Sequence, residues 1–328
     1  MLFELGAVFG LGCLSTLVEA GVPAPVIRPY KPALRRDFPD PSIIQGPDNM
    51  FYAFATTGGD KVVQVQAARA SSPTGPWQQL ADTNVLPNPG PAFTGQNTWA
   101  PDVQRLDDGS YVLYFSGQLA SNPDHHCVGA ATSRSILGPY VPQQQPFACD
   151  VGVGGQIDPS GFRDADGKRY VVYKVDGNSL GNGGQCKNGI APRRATPIEL
   201  QEVGPNGIDK IGPPIQILDR IGDEPLVEAP DLYRAPDGTY ILFFSSGCFT
   251  DPSYNVHYAT SRSVRGPFTR AARPLLVSND VRGLVAPGGA SVLAGGENLV
   301  FHANCDVGRC MYQKRYRFRD GSIRLMLS

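Results

Sequence analysis

The chain has 328 residues, with 29 Lys and Arg against 30 Asp and Glu, a formal net charge of −1. That balance lacks the basic stripe of a nucleic-acid binder and the polybasic patch of a protein held on an anionic membrane, so neither partner is expected. The 38 glycines and 30 prolines favour a chain rich in turns over one of long helices.

Taken in chain order, residues 1–20 differ in character from everything that follows. An apolar run from Ala7 to Val18 leads into Val18-Glu19-Ala20 and then Gly-Val-Pro-Ala-Pro. This is the pattern of a secretory signal peptide, although the segment ahead of the run carries Glu4 and no basic residue. The run is too short to span a bilayer. Residues 21–328 are then expected to form one secreted, extracellular domain, working as a monomer. The cysteines fit export: Cys13 leaves with the leader, and the mature chain keeps an even six, as an oxidised protein should. Cys127 with Cys149 and Cys305 with Cys310 are the sequence-local pairs, leaving Cys186 for Cys248. No C-x-x-C pair occurs, so no zinc site is expected.

From residue 38 onward, three phrases repeat at roughly sixty-residue spacing. The first joins a proline to an acidic or glycine position and then enters an apolar run: FPDPSII, WAPDVQRL, QIDPSGF, VEAPDLY and VAPGGASVL. The second is a turn signal followed by an aromatic, β-branched strand: DNMFYAFAT, DDGSYVLYFSG, ADGKRYVVYKVDG, PDGTYILFFSSG and GGENLVFHAN. The third, a Ser-rich turn into Gly-Pro-aromatic, ends at Trp77, Tyr140 and Phe268. No segment shows a capped 3.6-residue apolar period, so helices should be minor. Five units of strands and turns predict an all-β fold, a five-bladed β-propeller of four-stranded antiparallel blades around a central channel.

The innermost strand of each blade lines such a channel. Asp40, Asp102, Asp158 and Glu228, one from each of four blades, should therefore converge on one end of it. Carboxylates so gathered raise one another's pKa, and glycosidic hydrolysis uses such a set, one group protonated to donate and one ionised to activate water. By contrast Asp48, Asp108, Asp166 and Asp237 read as turn residues. Asp231, three residues beyond Glu228, is expected on the opposite face of its strand and structural.

These motifs, in this order and at this spacing, resemble glycoside hydrolase family 43 over about residues 35 to 318. The resemblance implies a secreted, inverting enzyme acting on arabinofuranosyl or xylosyl linkages of plant cell-wall polysaccharides, an α-L-arabinofuranosidase foremost. A β-xylosidase, an endo-arabinanase and a non-catalytic carbohydrate-binding propeller are the alternatives. FPDPS resembles the general-base segment (Asp40), QIDPSGF that of the residue tuning and orienting the acid (Asp158), and VEAPDLY that of the general acid (Glu228). In WAPDV, Trp99 would stack on a sugar and Asp102 would support the site; Phe38 is a further substrate-binding candidate. His302 in FHAN matches a channel histidine often near a bound calcium or a water cluster, which leaves a structural calcium in the channel and a hydrogen-bonded core histidine as open readings; no cofactor is required for the chemistry. Two departures stand out: Ala286-Pro287-Gly288-Gly289, where many relatives carry a histidine, and Lys174, on a strand able to face the channel. His125, His126 and His257 match no motif. The segments 178–187 and 247–254 are expected to shape the pocket.

Overall fold

The computed structural model describes residues 30–58, 63–280 and 283–326; the leader assigned to residues 1–20 lies outside them. The described chain forms five sheets, each of four antiparallel strands in sequence order. Blade one comprises β1 (Ser42–Gln45), β2 (Phe51–Ala55), β3 (Gln66–Ala70) and β4 (Gln78–Gln79). Blade two comprises β5 (Trp99–Arg105), β6 (Tyr111–Gln118), β7 (His126–Ser133) and β8 (Val141–Pro142). Blade three holds β9 (Gln156–Arg163), β10 (Arg169–Val175), β11 (Ile198–Val203) and β12 (Lys210–Leu218). Blade four holds β13 (Val227–Arg234), β14 (Tyr240–Ser246), β15 (Asn255–Ser261) and β16 (Thr269–Arg270). Blade five holds β17 (Gly288–Val292), β18 (Asn298–Cys305), β19 (Gly308–Arg319) and β20 (Ser322–Leu325). Among the described residues the helical segments are three short 3-10 turns.

The strands follow from their sequences. Second strands such as YVLYFSGQ, RYVVYKV and YILFFSS are buried along almost their whole length. A strand covered on both faces by neighbouring blades reads as a continuous apolar run, not as an alternation. The turns before them behave as expected: the carboxylates of Asp48, Asp108, Asp166 and Asp237 each accept the backbone N–H two residues on, which closes a tight loop. In the Gly-Pro-aromatic turns the glycine is obligatory. At Gly138 φ is +77° and a Cβ would lie 2.4 Å from the Val85 carbonyl oxygen.

The ring is closed by the segment before β1. Leu34 bridges Met311, and Phe38 N–H donates to the Arg309 carbonyl oxygen at 2.8 Å, so the chain's beginning lies along the edge of blade five. The disulfides are those assigned from the sequence, Cys127–Cys149, Cys186–Cys248 and Cys305–Cys310.

One local device recurs in every blade and sets the site. Where the innermost strand meets the channel mouth, one residue is left-handed: Asp40 (φ 53°), Ala100 (42°), Asp158 (56°), Ala229 (49°) and Gly289 (57°). In four blades this residue sits in a β-bulge, two residues facing one on the second strand, as between Trp99↔Ser116 and Asp102↔Tyr114. A bulge bends the strand and re-aims its side chains.

Candidate active site

Around the channel mouth lies a cavity of about 570 Å³ whose lining includes Asp40, Trp99, His126, Asp158, Lys174 and Glu228, within the usual size range of ligand pockets. Below it the channel narrows to about 40 Å³, lined by three consecutive residues from each blade. Two of the three sequence-derived substrate-binding candidates fall outside the upper cavity. Asp102 is buried in the narrow part, accepting hydrogen bonds from Gly161 N–H (2.8 Å) and Gln104 Nε2 (2.9 Å); it touches no open surface and is not a substrate contact. Phe38 is 0% exposed, packed with Ile43, Trp77 and Met311, and is a core residue. Asp231 also needs correction. The bulge places Glu228 opposite Ser245 and Asp231 opposite Phe243, two positions apart on β14 and hence on one face. Asp231 therefore points into the channel one level below Glu228, not away from it.

Asp40 is held as an anion. Burial pushes its pKa up, but Arg309 Nη1 at 3.2 Å, His302 and the Thr56 hydroxyl at 2.6 Å together bring it well below the ordinary carboxylate range. His302 Nδ1 lies 3.1 Å from the Asp40 amide nitrogen and 3.3 Å from Asp40 Oδ1, and Nε2 is buried without a partner among the described residues. Burial lowers the His302 pKa. Calcium takes oxygen ligands. Among the described residues no three His, Cys, Asp or Glu side chains gather to hold an ion. His302 supports the seat of Asp40.

Asp158 behaves in the opposite way. Its pKa rises to about 8, chiefly through burial and then through the Glu228 charge, with Lys174 pulling down; its Oδ2 accepts Ala229 N–H at 2.9 Å. Glu228 has both oxygens engaged, Oε2 by Lys174 Nζ at 3.0 Å and Oε1 by the Tyr254 hydroxyl at 2.7 Å. Gly288 permits that second contact: a Cβ there would lie 1.8 Å from the Tyr254 ring. Three carboxylates thus sit at one mouth in three distinct settings, an arrangement suited to dividing acid, base and tuning roles.

The walls are aromatic. Trp99 stacks flat on His126, ring centroids 3.5 Å apart, and burial pulls the His126 pKa down to about 4, so the platform is uncharged. Phe249, 42% exposed, carries the Arg309 guanidinium 5.0 Å above its ring. Cys186–Cys248 ties the two segments expected to shape the pocket, and both Cys186 and Phe249 line it. Sequence motifs pointed to neither His126 nor Arg309. His126 follows an unremarkable loop, and Arg309 stands at the start of β19, just after the two-residue turn inside the Cys305–Cys310 loop. His257 is stacked in the core on Phe244.

A closed five-bladed propeller with three blades each offering a carboxyl group to one aromatic-walled mouth defines a glycosidase-type propeller. The chain belongs to glycosyl hydrolases family 43, whose model matches residues 29–323. It is 26% identical over 274 residues to the extracellular endo-alpha-(1->5)-L-arabinanase 2 of Bacillus subtilis, covering 74% of this chain and 52% of that protein. It is likewise 26% identical over 312 residues to the probable arabinan endo-1,5-alpha-L-arabinosidase C of Aspergillus flavus, covering 86% and 89%. The chain spans about half the length of two of the curated relatives it matches, the Bacillus protein and a Thermotoga petrophila arabinanase. Its fold is shared with an endo-arabinase from Bacteroides thetaiotaomicron, at a TM-score of 0.69 and 18% identity over 90% of this chain and 99% of that one.

Proposed function

We propose that the chain is a secreted glycosidase that hydrolyses α-L-arabinofuranosyl linkages of arabinan with inversion. The observation that carries the reading is the division of charge among the three acids at the mouth. Asp40, kept ionised by Arg309, His302 and Thr56, is suited to take a proton from the attacking water. Glu228, on blade four, is suited to donate to the departing oxygen, and Asp158, bonded to the backbone beside it, adjusts its charge. Trp99 on His126 offers a flat face for a sugar ring. The names of the relatives support arabinan as the polymer, and a 1,5-linked backbone in particular; the three disulfides support export. An exo-acting arabinofuranosidase and an endo-arabinanase differ in product, single arabinose against oligosaccharides.

The test is hydrolysis of linear 1,5-arabinan, arabinoxylan and xylan by the wild type and Glu228→Gln, with product size and anomeric configuration followed by NMR. Release from arabinan with an inverted anomer, reduced about 10³-fold or more by the substitution, is the expected result. Retained configuration would sink the single-displacement mechanism. Binding of arabinan without turnover would make the chain a carbohydrate-binding propeller.

A further inference from the structure

The left-handed residues at the channel mouth expose five backbone N–H groups, and four are caught in one way. Ala100 N–H donates to Thr56 Oγ1, Asp158 N–H to Ser116 Oγ, Gly289 N–H to Ser245 Oγ and Asp40 N–H to His302 Nδ1. Each acceptor lies on, or just beyond, the second strand of the preceding blade. Between blades three and four the pattern breaks. The second-strand residue there is Lys174, opposite Ile157 as Ser116 is opposite Trp99 and Ser245 opposite Glu228. An ammonium has three donors and no acceptor, so it cannot take the Ala229 N–H. Asp158 Oδ2 takes it instead.

Lys174 is thereby free for something else. It is 1% exposed and bridges Glu228 Oε2 at 3.0 Å and Asp176 Oδ1 at 3.1 Å. Burying an ammonium costs several kcal/mol unless it is paired, and the serine used by two other blades would avoid that cost. A costly departure from the repeat, placed on one oxygen of Glu228, calls for a role at that oxygen. Glu228 is also faced by Asp158 from β9 and Tyr254 ahead of β15, with Asp40, His302 and Arg309 across the mouth; Asp176 is faced by Lys174 and His125.

We propose that Lys174 and Asp176 form a positioning dyad for Glu228, the ammonium anchoring Oε2 so that Oε1 serves the substrate, and Asp176 offsetting the ammonium's charge so that Glu228 can still be protonated. This rests on the reading of Glu228 as the proton donor. Removing a cation beside a carboxylate favours its protonated form, and removing the anion that offsets the cation favours the ionised form. The two partners therefore act with opposite sign.

The experiment is the pH profile of kcat/KM for the wild type, Lys174→Ser and Asp176→Asn, on the 4-nitrophenyl and 2,4-dinitrophenyl glycosides of the sugar the wild type releases. Lys174→Ser supplies the hydroxyl that other blades use, and thermal melts check that both variants fold. The alkaline limb should move up by about one pH unit or more in Lys174→Ser and down by a similar amount in Asp176→Asn. At fixed pH the rate changes should shrink to less than about threefold on the dinitrophenyl glycoside, whose departing oxygen needs no proton. Limbs that stay in place, or move together, would overturn the dyad, as would losses that ignore the leaving group. A rise in KM alone would make Lys174 a sugar contact instead. Full activity in Glu228→Gln removes the reading of Glu228 itself, and the dyad with it, a result separable from all of these.

Discussion

The mouth of the channel and the constriction below it are built from the same bulges, yet Asp40 at the mouth and Asp102 and Asp231 below it are treated in opposite ways. At the mouth Asp40 has a guanidinium, an imidazole and a hydroxyl for partners and remains an anion. One level down, Ser42, Asp102, Ser160, Asp231 and Ser291, one from each blade, are all buried around the axis. There Asp102 is raised to about 6 by burial, and Asp231 to about 8 by burial and then by Asp102. Two positions along the repeat separate the place of Asp40, held as an anion, from the places of Asp102 and Asp231, whose pKa burial raises. Position in a repeat decides where a carboxyl group sits; the cations supplied by the other blades decide its charge.

Three substitutions sharpen that contrast, from the strongest effect down. Asp40→Asn should lower kcat by up to about 10⁴-fold, roughly 5 kcal/mol of barrier, with a smaller loss of unfolding free energy as the ion pair with Arg309 goes. An equal loss of stability would mean that Asp40 is mainly structural. Phe38→Ala, two residues earlier, should do the reverse and cost about 3–5 kcal/mol of unfolding free energy through the cavity it leaves. A stable Phe38→Ala protein with a raised KM would restore Phe38 as a sugar contact. Asp231→Asn should be the mildest and depend on pH. The folded state keeps a proton on Asp231 up to about pH 8, whereas the unfolded chain releases it near pH 4. Wild-type stability attributable to this group therefore falls as pH rises from about 4 to 8. The asparagine variant should melt several degrees higher than wild type at pH 8 and about level with it at pH 4. No gain at pH 8 would show that Asp231 ionises freely in the fold.

The propeller was legible because three separate phrases keep step, and the catalytic candidates Asp40, Asp158 and Glu228 were legible because they lie in one of those phrases. What the phrases concealed was register. FPDPS, WAPDV, QIDPS and VEAPD look alike around their proline, but Asp40 and Asp158 occupy the left-handed position, Glu228 the one before it, and Asp102 and Asp231 two after it. Alternation along a strand cannot reveal this, because the bulge inserts a residue and returns the next side chain to the same face. Nor does a repeat announce its exceptions. Lys174 drew notice only as a charge on a buried strand, and its bond to Glu228 depends on a pairing 54 residues long in sequence. Arg309 and His126 stand at the starts of β19 and β7, just after loops without a repeating pattern, so their arrival at the mouth depends on ring closure and on the stacking of Trp99.

That closure has a temporal side. Asp40 stands in the first blade, while His302 and Arg309 stand in the last, 262 and 269 residues away. Contacts so distant along the chain are late to form, because the entropy of closing the intervening loop must be met before they contribute. The Glu228 side of the mouth, assembled from blades three and four, can exist in a chain whose ends have not yet met; the seat of Asp40 cannot. A propeller arrested before its first and last blades join would hold Glu228 in place with Asp40 unseated, so the mouth acquires its full complement of charges only in the step that completes its shape.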